Sequence, residues 1–258
     1  MSIHPTAVID PSAVIDPTAE VGAYAVIGPR VVIGPEVEIR PHAFIDKDTA
    51  IGRGSRIFPF ATVGADPQDL KYKGERTGLI IGENVTIRES ATIHRGTGGG
   101  DTVIGDGCLI MATVHIAHDC RLGPGVIVSS YAVMAGHIII GEMAIIGGLT
   151  AIHQFCRVGD QAFLGGFSGL SKDLPPYMMA GSGDGHRLSL SGPNIVGLKR
   201  RGMPQATIDA LKGAHHLICR NRRPLAEVLA EAEAEYGTVP EVRKVIDFYR
   251  SSDRGVYR

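Results

Sequence analysis

Histidines are the side chains in this sequence best suited to chemistry, and four of them cluster. The segment ATVHIAHDCRLG, residues 112–123, carries His115 and His118, with Asp119 directly after the second. His137 follows in MAGHIIIG, and His153 in TAIHQFC with Gln154 beside it. Three readings compete. Imidazoles bind zinc and similar metals, but these spacings form no compact ligand motif and no cysteine joins the set, so no metal is expected. The histidines could be satisfied structural groups. The third reading is acid–base work, because a neutral imidazole accepts a proton near neutral pH. His118 with adjacent Asp119 is the best pair for it, since a carboxylate fixes the tautomer and supports the charged ring. The sequence has no Gly-x-Ser-x-Gly elbow and no cysteine in a nucleophile–base arrangement. Direct attack by a substrate hydroxyl therefore fits better than a covalent acyl-enzyme. A dinucleotide fingerprint is also missing.

The elements that must position these groups repeat every six residues. Aliphatic residues recur at Ile3, Ile9, Ile15, Val21, Ile27, Ile33, Ile39, Ile45, Ile51, Ile57 and Val63. The register resumes at Ile81, Ile87 and Ile93, and again from Ile104 through Leu170. A period of six fits neither an α-helix nor an alternating strand. It fits a coil of three short strands, 18 residues per turn, with each aliphatic side chain stacked on its counterpart one coil along. The 26 hexads give a prism about 40 Å long at the usual strand spacing. Glycine often follows the aliphatic residue, as at Gly22, Gly28, Gly34, Gly52 and Gly141. Its expected role is to permit turn angles that other residues resist. The intervals of 19 residues from His118 to His137 and 16 from His137 to His153 are each close to one coil. They are expected to put the three rings on one lateral wall.

The β-helix is expected over residues 1–180. Loops interrupt it at 64–78, which holds Asp69, Lys71 and Lys73, and at 94–102, which is rich in glycine. Excursions from a rigid scaffold are favoured places for binding groups. Residues 181–193 read as a Gly- and Ser-rich connector, and 194–258 as a small α-helical C-terminal domain. Three helices are expected there, over about 205–219, 224–236 and 240–249, with Pro224 and Pro240 in first-turn positions. This tail carries Lys199, Arg200, Arg201, Lys212, Arg220, Arg222 and Arg223, a basic face suited to phosphates or an acidic partner.

Bulk properties narrow the classes. A formal net charge of −1 gives no reason to expect a nucleic-acid protein. Four separated cysteines without a CxxC spacing suit a reducing compartment. No signal peptide and no run of 18 apolar residues are seen, so a cytoplasmic protein without stable membrane insertion is expected.

Several segments together resemble the UDP-N-acetylglucosamine acyltransferases of the lipid A pathway. They are QDLKY (68–72), IHRGT (93–97), HIAHDC (115–120), AGH (135–137), HQFC (153–156), DLPPY (173–177) and NIVGLKRRG (194–202). Hexads alone indicate only the wider hexapeptide-repeat superfamily. The resemblance supplies the hand of the coil, a left-handed parallel β-helix, which is an exception to the usual right-handed crossover. It implies a homotrimer that moves an (R)-3-hydroxyacyl chain from acyl carrier protein to the glucosamine 3-hydroxyl, with no cofactor beyond the carrier's phosphopantetheine arm. In that family pattern His118 is the base, Asp119 its orienting partner, and the Gly136 N–H the oxyanion donor. Asp69, His115, His137 and Gln154 hold the sugar, Lys71 lies near the substrates, and His153 lines the site. Asn194, Arg200 and Arg201 face the nucleotide. Gly166, with Phe163 nearby, sets acyl-chain length, and a glycine there implies C12 to C16 over C10. Arg220, Arg222 and Arg223 become steering contacts for the acidic carrier. Two departures stand out. Val196 occupies a position that is commonly Glu, and the 177–194 linker is longer than usual, with His186 matched to the family's extra polar group there.

Rival readings are the same chemistry on the 3-amino sugar, a coenzyme A-dependent hexapeptide acyltransferase, a zinc-dependent carbonic anhydrase of the same fold, and a non-catalytic trimer. A prism repeat by itself supplies no catalysis.

Overall fold

The period of six is a stacking period. A computed structural model describes residues 2–98, 100–182, 188–220 and 223–258. In the prism each hexad folds as a short strand, mostly of two residues, followed by a turn. Strands one coil apart pair in parallel, as in Ser2↔Glu20, Val8↔Val26 and Val14↔Val32. Three sheets of eleven, nine and eight strands result. They form the first, second and third faces of a prism, which begin at Ser2–Ile3, Val8–Ile9 and Val14–Ile15. No two-residue strand is stable alone; each is held by the coils on either side.

From the second coil onward, the second residue of each strand points inward. Ile27, Ile33, Ile39, Ile45, Ile57, Ile93, Ile110 and Ile116 are fully buried, with Ala25, Val31, Val37 and Ala43 filling the corners. Burying one such aliphatic side chain is worth roughly 1.5–3 kcal/mol. The core is therefore a continuous column, and removing one member weakens two neighbouring coils.

The turns correct one sequence expectation. The glycine after the aliphatic residue does not adopt a left-handed angle. It is required because the next coil's backbone lies against it: a Cβ at Gly52 would sit 2.6 Å from the carbonyl carbon of Gly82, and one at Gly141 2.5 Å from the backbone nitrogen of Asp160. The left-handed position comes two residues later and is mostly not glycine. Arg30, Asp119, His137 and Phe155 adopt φ of 57°, 60°, 60° and 65°. Such a conformation costs an L-residue roughly 1–2 kcal/mol, which the coil-to-coil ladder must offset at every turn.

Both excursions leave the same edge of the prism, between the second and third faces. Residues 66–77 join the strands Thr62–Ala65 and Gly78–Ile81, and residues 95–100 join Thr92–His94 and Asp101–Ile104.

The last strand of the first face, Met178–Gly181, pairs antiparallel with Ser189–Pro193. Four helices follow: α1 (Ile195–Arg200), α2 (Gln205–Arg220), α3 (Leu225–Tyr236) and α4 (Pro240–Arg250). The short α1 precedes the three read from the sequence. Ile208, Leu211, Val228, Val242, Val245 and Ile246 are buried among them. Arg157 fixes the bundle to the prism. Its Nε donates to Asp173 Oδ2 at 2.8 Å and its Nη2 to the Phe248 carbonyl at 3.1 Å, over the Phe248 ring. No helix among the described residues is long and apolar enough to cross a membrane.

Candidate active site

His118 and Asp119 occupy the turn that links the second face to the third, between His115–Ile116 and Arg121–Leu122. His118 Nδ1 lies 2.7 Å from Asp119 Oδ2. A carboxylate accepts, so Nδ1 carries the proton and Nε2 keeps its lone pair. The carboxylate is itself held. The Thr97 N–H donates to Oδ1 at 2.9 Å and Thr97 Oγ1 to Oδ2 at 2.6 Å, while the Asp119 N–H donates to Thr102 Oγ1 at 2.8 Å. Burial favours the neutral acid, but the two Thr97 bonds, the His118 bond and the nearby His137 outweigh it. The Asp119 carboxyl is therefore held below its ordinary range.

One coil further on, Gly136 takes the register position of His118. A Cβ there would fall 2.5 Å from His118 Cε1 and 2.8 Å from Nε2. Only glycine lets the ring lie against this backbone. The ladder uses the neighbouring groups, Ala135 N–H to the Ile152 carbonyl and His137 N–H to the His118 carbonyl. The Gly136 N–H donates to no group among the described residues. The same turn position holds proline at Pro29, Pro35, Pro41 and Pro124, which confirms that the fold does not need a donor there.

His137 sits above Asp119 in the left-handed column, with Nε2 3.6 Å from Asp119 Oδ2. Its ring meets His118 edge-on at 5.2 Å and stacks on Phe155 at 4.7 Å. His118, Asp119 and His137 offer ligand atoms within 4.8 Å of one another. The proton between Nδ1 and Oδ2 would have to leave before a metal entered between those two atoms. His115 points outward from its strand and hydrogen-bonds Thr92 Oγ1 through Nδ1 at 2.8 Å; burial lowers its pKa. His153 and Gln154 are exposed on the same edge, where His153 Nδ1 donates to the Gln154 carbonyl at 3.2 Å. The expected lateral wall is thus one prism edge. His118, His137 and His153 occupy three different positions within its successive turns.

Asp69 and Lys71 lie in the 66–77 excursion from this edge. Asp69 Oδ1 accepts the Lys71 N–H at 2.9 Å, and the Lys71 side chain is exposed. Glu75 Oε1 accepts the Gly98 N–H at 3.3 Å, joining the two excursions.

The remaining expected residues lie on other edges. Asn194 caps α1, where its Oδ1 accepts the Gly197 N–H at 3.2 Å and its own N–H donates to the Tyr177 carbonyl at 2.8 Å. Arg201 Nη2 donates to the Met143 carbonyl at 2.7 Å. Met143 and Tyr177 sit on the edge between the third and first faces, and exposed Arg200 is beside them in α1. Gly166 lies on the edge between the first and second faces, after half-buried Phe163; a Cβ on it would stand 3.1 Å from the Gly148 carbonyl oxygen. Val196 is exposed. Arg223 is paired with Glu227 and Glu231. Arg222, the Arg220 side chain and His186 lie outside the described residues.

Sequence reasoning passed over Thr97, Thr102, His94 and Phe155. Phe155 follows His137 by 18 residues, so strict register would have found it. Thr97 lies in an insertion, where register gives no guide. His94 is buried against His115, and desolvation, helped by the neighbouring histidines, lowers its pKa to about 4.

A hexapeptide prism with a histidine–carboxylate pair on one edge suits a hexapeptide-repeat acyltransferase. The comparisons with known proteins narrow the class. Residues 101–136 match the bacterial transferase hexapeptide family, and residues 173–257 match the second domain of UDP N-acetylglucosamine O-acyltransferase. An acyl-[acyl-carrier-protein]–UDP-N-acetylglucosamine O-acyltransferase from Thermodesulfovibrio yellowstonii is 51% identical over 219 residues, 84% of each chain. The UDP-N-acetylglucosamine O-acyltransferase structure from Moraxella catarrhalis is 41% identical, covers 100% of both chains and superposes with a TM-score of 0.95. The structure of a UDP-N-acetylglucosamine acyltransferase from Campylobacter jejuni is 40% identical with the same coverage and a TM-score of 0.90. The chain belongs to the UDP-N-acetylglucosamine O-acyltransferase family. Its coil is the left-handed parallel β-helix of that family.

Proposed function

We propose that this enzyme transfers an (R)-3-hydroxyacyl chain from acyl carrier protein to the 3-hydroxyl of UDP-N-acetylglucosamine, the first step of lipid A biosynthesis. The observation that carries the mechanism is the 2.7 Å contact from His118 Nδ1 to an Asp119 carboxylate already gripped by Thr97. It leaves His118 Nε2 as the acceptor for the sugar hydroxyl proton. The alkoxide oxygen attacks the thioester carbonyl as that proton leaves. Negative charge develops on the carbonyl oxygen, and the Gly136 N–H, which the ladder does not use, is placed to receive it. Collapse of the tetrahedral intermediate breaks the C–S bond, and the His118 imidazolium returns its proton to the departing thiolate. Asp119 steadies the charged ring between the two transfers. Holding both substrates in one site supplies the rest of the rate through orientation.

Asp69, Lys71, His115, His137, His153 and Gln154 line the acceptor side in this reading. Asn194, Arg200 and Arg201 meet the nucleotide. The buried Arg201 Nη1 has no hydrogen-bond partner among the described residues. These residues and Gly166 stand on edges other than that of His118, so one protomer does not assemble the whole site. A homotrimer, in which neighbouring prisms bring different edges together, resolves this, and exposed Val133, Ile139 and Tyr131 are apolar surface suited to such contacts. Arg220, Arg222 and Arg223 steer the acidic carrier protein. Gly166 leaves room for C12 to C16 chains, while Phe163 acts in the opposite direction by shortening the groove. Four free cysteines fit a cytoplasmic location.

The test is transfer from 3-hydroxyacyl carrier proteins of C10 to C16 to UDP-N-acetylglucosamine, with the 3-amino sugar and acyl-coenzyme A in parallel. The expected result is ester product from the carrier protein, with the optimum above C10. A clear C10 optimum overturns the chain-length reading, and a preference for acyl-coenzyme A overturns the donor. Sedimentation giving a monomer overturns the trimer. The clustered ligand atoms of His118, Asp119 and His137 favour a metal enzyme as the second reading; loss of activity on chelation, restored by zinc, would establish it.

A further inference from the structure

One buried charge has no part in the mechanism above. Arg95 is fully buried, two residues before Thr97. Burying a guanidinium is costly unless its donors are satisfied, and here they grip the larger excursion at both limbs. Nη1 donates to the Gly64 carbonyl at 2.7 Å and to Asp46 Oδ2 at 3.3 Å, both in the prism at the root of the loop. Nη2 pairs with Asp66 as the chain departs, and donates to the Tyr72 hydroxyl at 3.1 Å on the far limb. The guanidinium also lies 5.7 Å from the Tyr72 ring centroid. Tyr72 passes the grip onward through a 3.0 Å bond from its hydroxyl to the Glu75 carbonyl. The Arg95 N–H donates to the Ala65 carbonyl at 3.1 Å.

Between the two gripped limbs lies the tip with Asp69 and Lys71. Leu70 there is 97% exposed, so apolar packing does not hold it. Asp69 and Lys71 are held by a local turn, in which Asp69 Oδ1 accepts the Lys71 N–H and the Asp69 carbonyl accepts the Tyr72 N–H at 3.0 Å. The position of the tip relative to the prism therefore depends on the limbs. Surface pairs help to hold them, Lys47 with Asp66 at 3.6 Å, Arg76 with Asp48 at 3.1 Å and the Gly98 N–H with Glu75 Oε1 at 3.3 Å, but Arg95 is the buried side chain that reaches both limbs.

We infer that Arg95 is a positioning residue for the acceptor sugar: it sets the 66–77 loop, with Asp69 and Lys71, at a fixed distance from the His118 edge. The inference rests on the proposed activity for the identity of the acceptor. Arg95 touches neither substrate nor the reacting atoms. Its planar fork can hold two limbs at once, which the single ammonium of lysine cannot do with the same geometry.

Two measurements test this on the full-length protein. The first is steady-state kinetics of Arg95→Met and Arg95→Lys. Arg95→Met is expected to raise KM for UDP-N-acetylglucosamine about tenfold or more, with kcat changed less than about threefold and KM for the acyl carrier protein unchanged. Arg95→Lys should fall between it and the wild type. The second is digestion with a lysine-specific protease, followed by mass spectrometry, which should show faster cleavage after Lys71 and Lys73 in Arg95→Met. Wild-type cleavage rates, or a loss confined to kcat, would overturn the inference. If Arg95→Met does not fold, Tyr72→Phe and Asp66→Asn carry the same two assays, and unchanged KM and cleavage in both would overturn it. A wild type that makes no product refutes the activity, and the protease comparison still decides the loop.

Discussion

At Pro29 and at His118 the backbone makes the same turn. Each residue comes two places after a buried isoleucine, Ile27 or Ile116, and precedes a left-handed residue, Arg30 or Asp119. Each offers its carbonyl to the coil above, Pro29 to the Asp48 N–H at 3.1 Å and His118 to the His137 N–H at 3.0 Å. The early coil fills this slot with a ring that has no N–H, because the ladder asks for none. The central coils fill it with His118, Gly136 and Gln154. The prism thus contains a position whose side chain and amide are free of structural duty, and chemistry can be placed there at little cost to the fold. What turns the slot into a site is the pair of excursions from the same edge, which deliver Thr97 to the carboxylate and the Asp69 loop to its flank.

Moving residues between the two regions tests that comparison. The largest effect is expected at His118. His118→Ala should lower kcat by about 100-fold or more with the melting temperature unchanged. His118→Pro, which copies the early coil, should fold as well as His118→Ala and be equally inactive. A collapse of the His118→Pro fold in thermal melts would show that the two turns are not equivalent.

Glycine gives the next contrast. Gly136→Ala puts a methyl group against the His118 ring and is expected to cost kcat about 10- to 100-fold, the scale of a misplaced catalytic group. Gly52→Ala meets backbone of the next coil and is expected to cost about 1–3 kcal/mol of stability while kcat of the folded enzyme stays unchanged. Stability and rate assays run side by side would separate the two; equal loss of kcat in both would break the comparison.

Thr97→Val should lower kcat about tenfold, the weight of one charge-assisted hydrogen bond. The Asp119 pKa should then rise toward its ordinary range, which an NMR titration of its carboxyl carbon would read. Thr97→Ser should restore both, and an unchanged Asp119 titration in Thr97→Val would remove Thr97 from the site.

The smallest effect concerns His94, whose pKa burial lowers to about 4. Between pH 6.5 and 4 the unfolded chain protonates this ring and the folded one does not, so stability falls as pH drops through that window. His94→Gln should flatten the fall in melting temperature over that range, and an unaltered slope would refute the assignment.

Much of this was legible in the sequence. Side chains that repeat every six residues must stack, and stacking fixes the core, the coil and the exposure of the turns. The pairing of His118 with Asp119 was legible because neighbours in a turn meet whatever the rest of the chain does. Glycine was placed correctly but for the wrong reason, since what constrains Gly52 and Gly141 is the backbone of the next coil, which sequence does not display. Thr97, His94 and Arg95 were missed as site residues because their partners, Asp119, His115 and Asp66, are reached across insertions that break the register. The sequence by itself determined a periodic scaffold and a local histidine–carboxylate pair, both consequences of short-range spacing. Only the tertiary structure decided which groups share an edge, since the depth to which two loops fold back on the prism depends on long-range hydrogen bonds and a buried charge that no periodicity encodes.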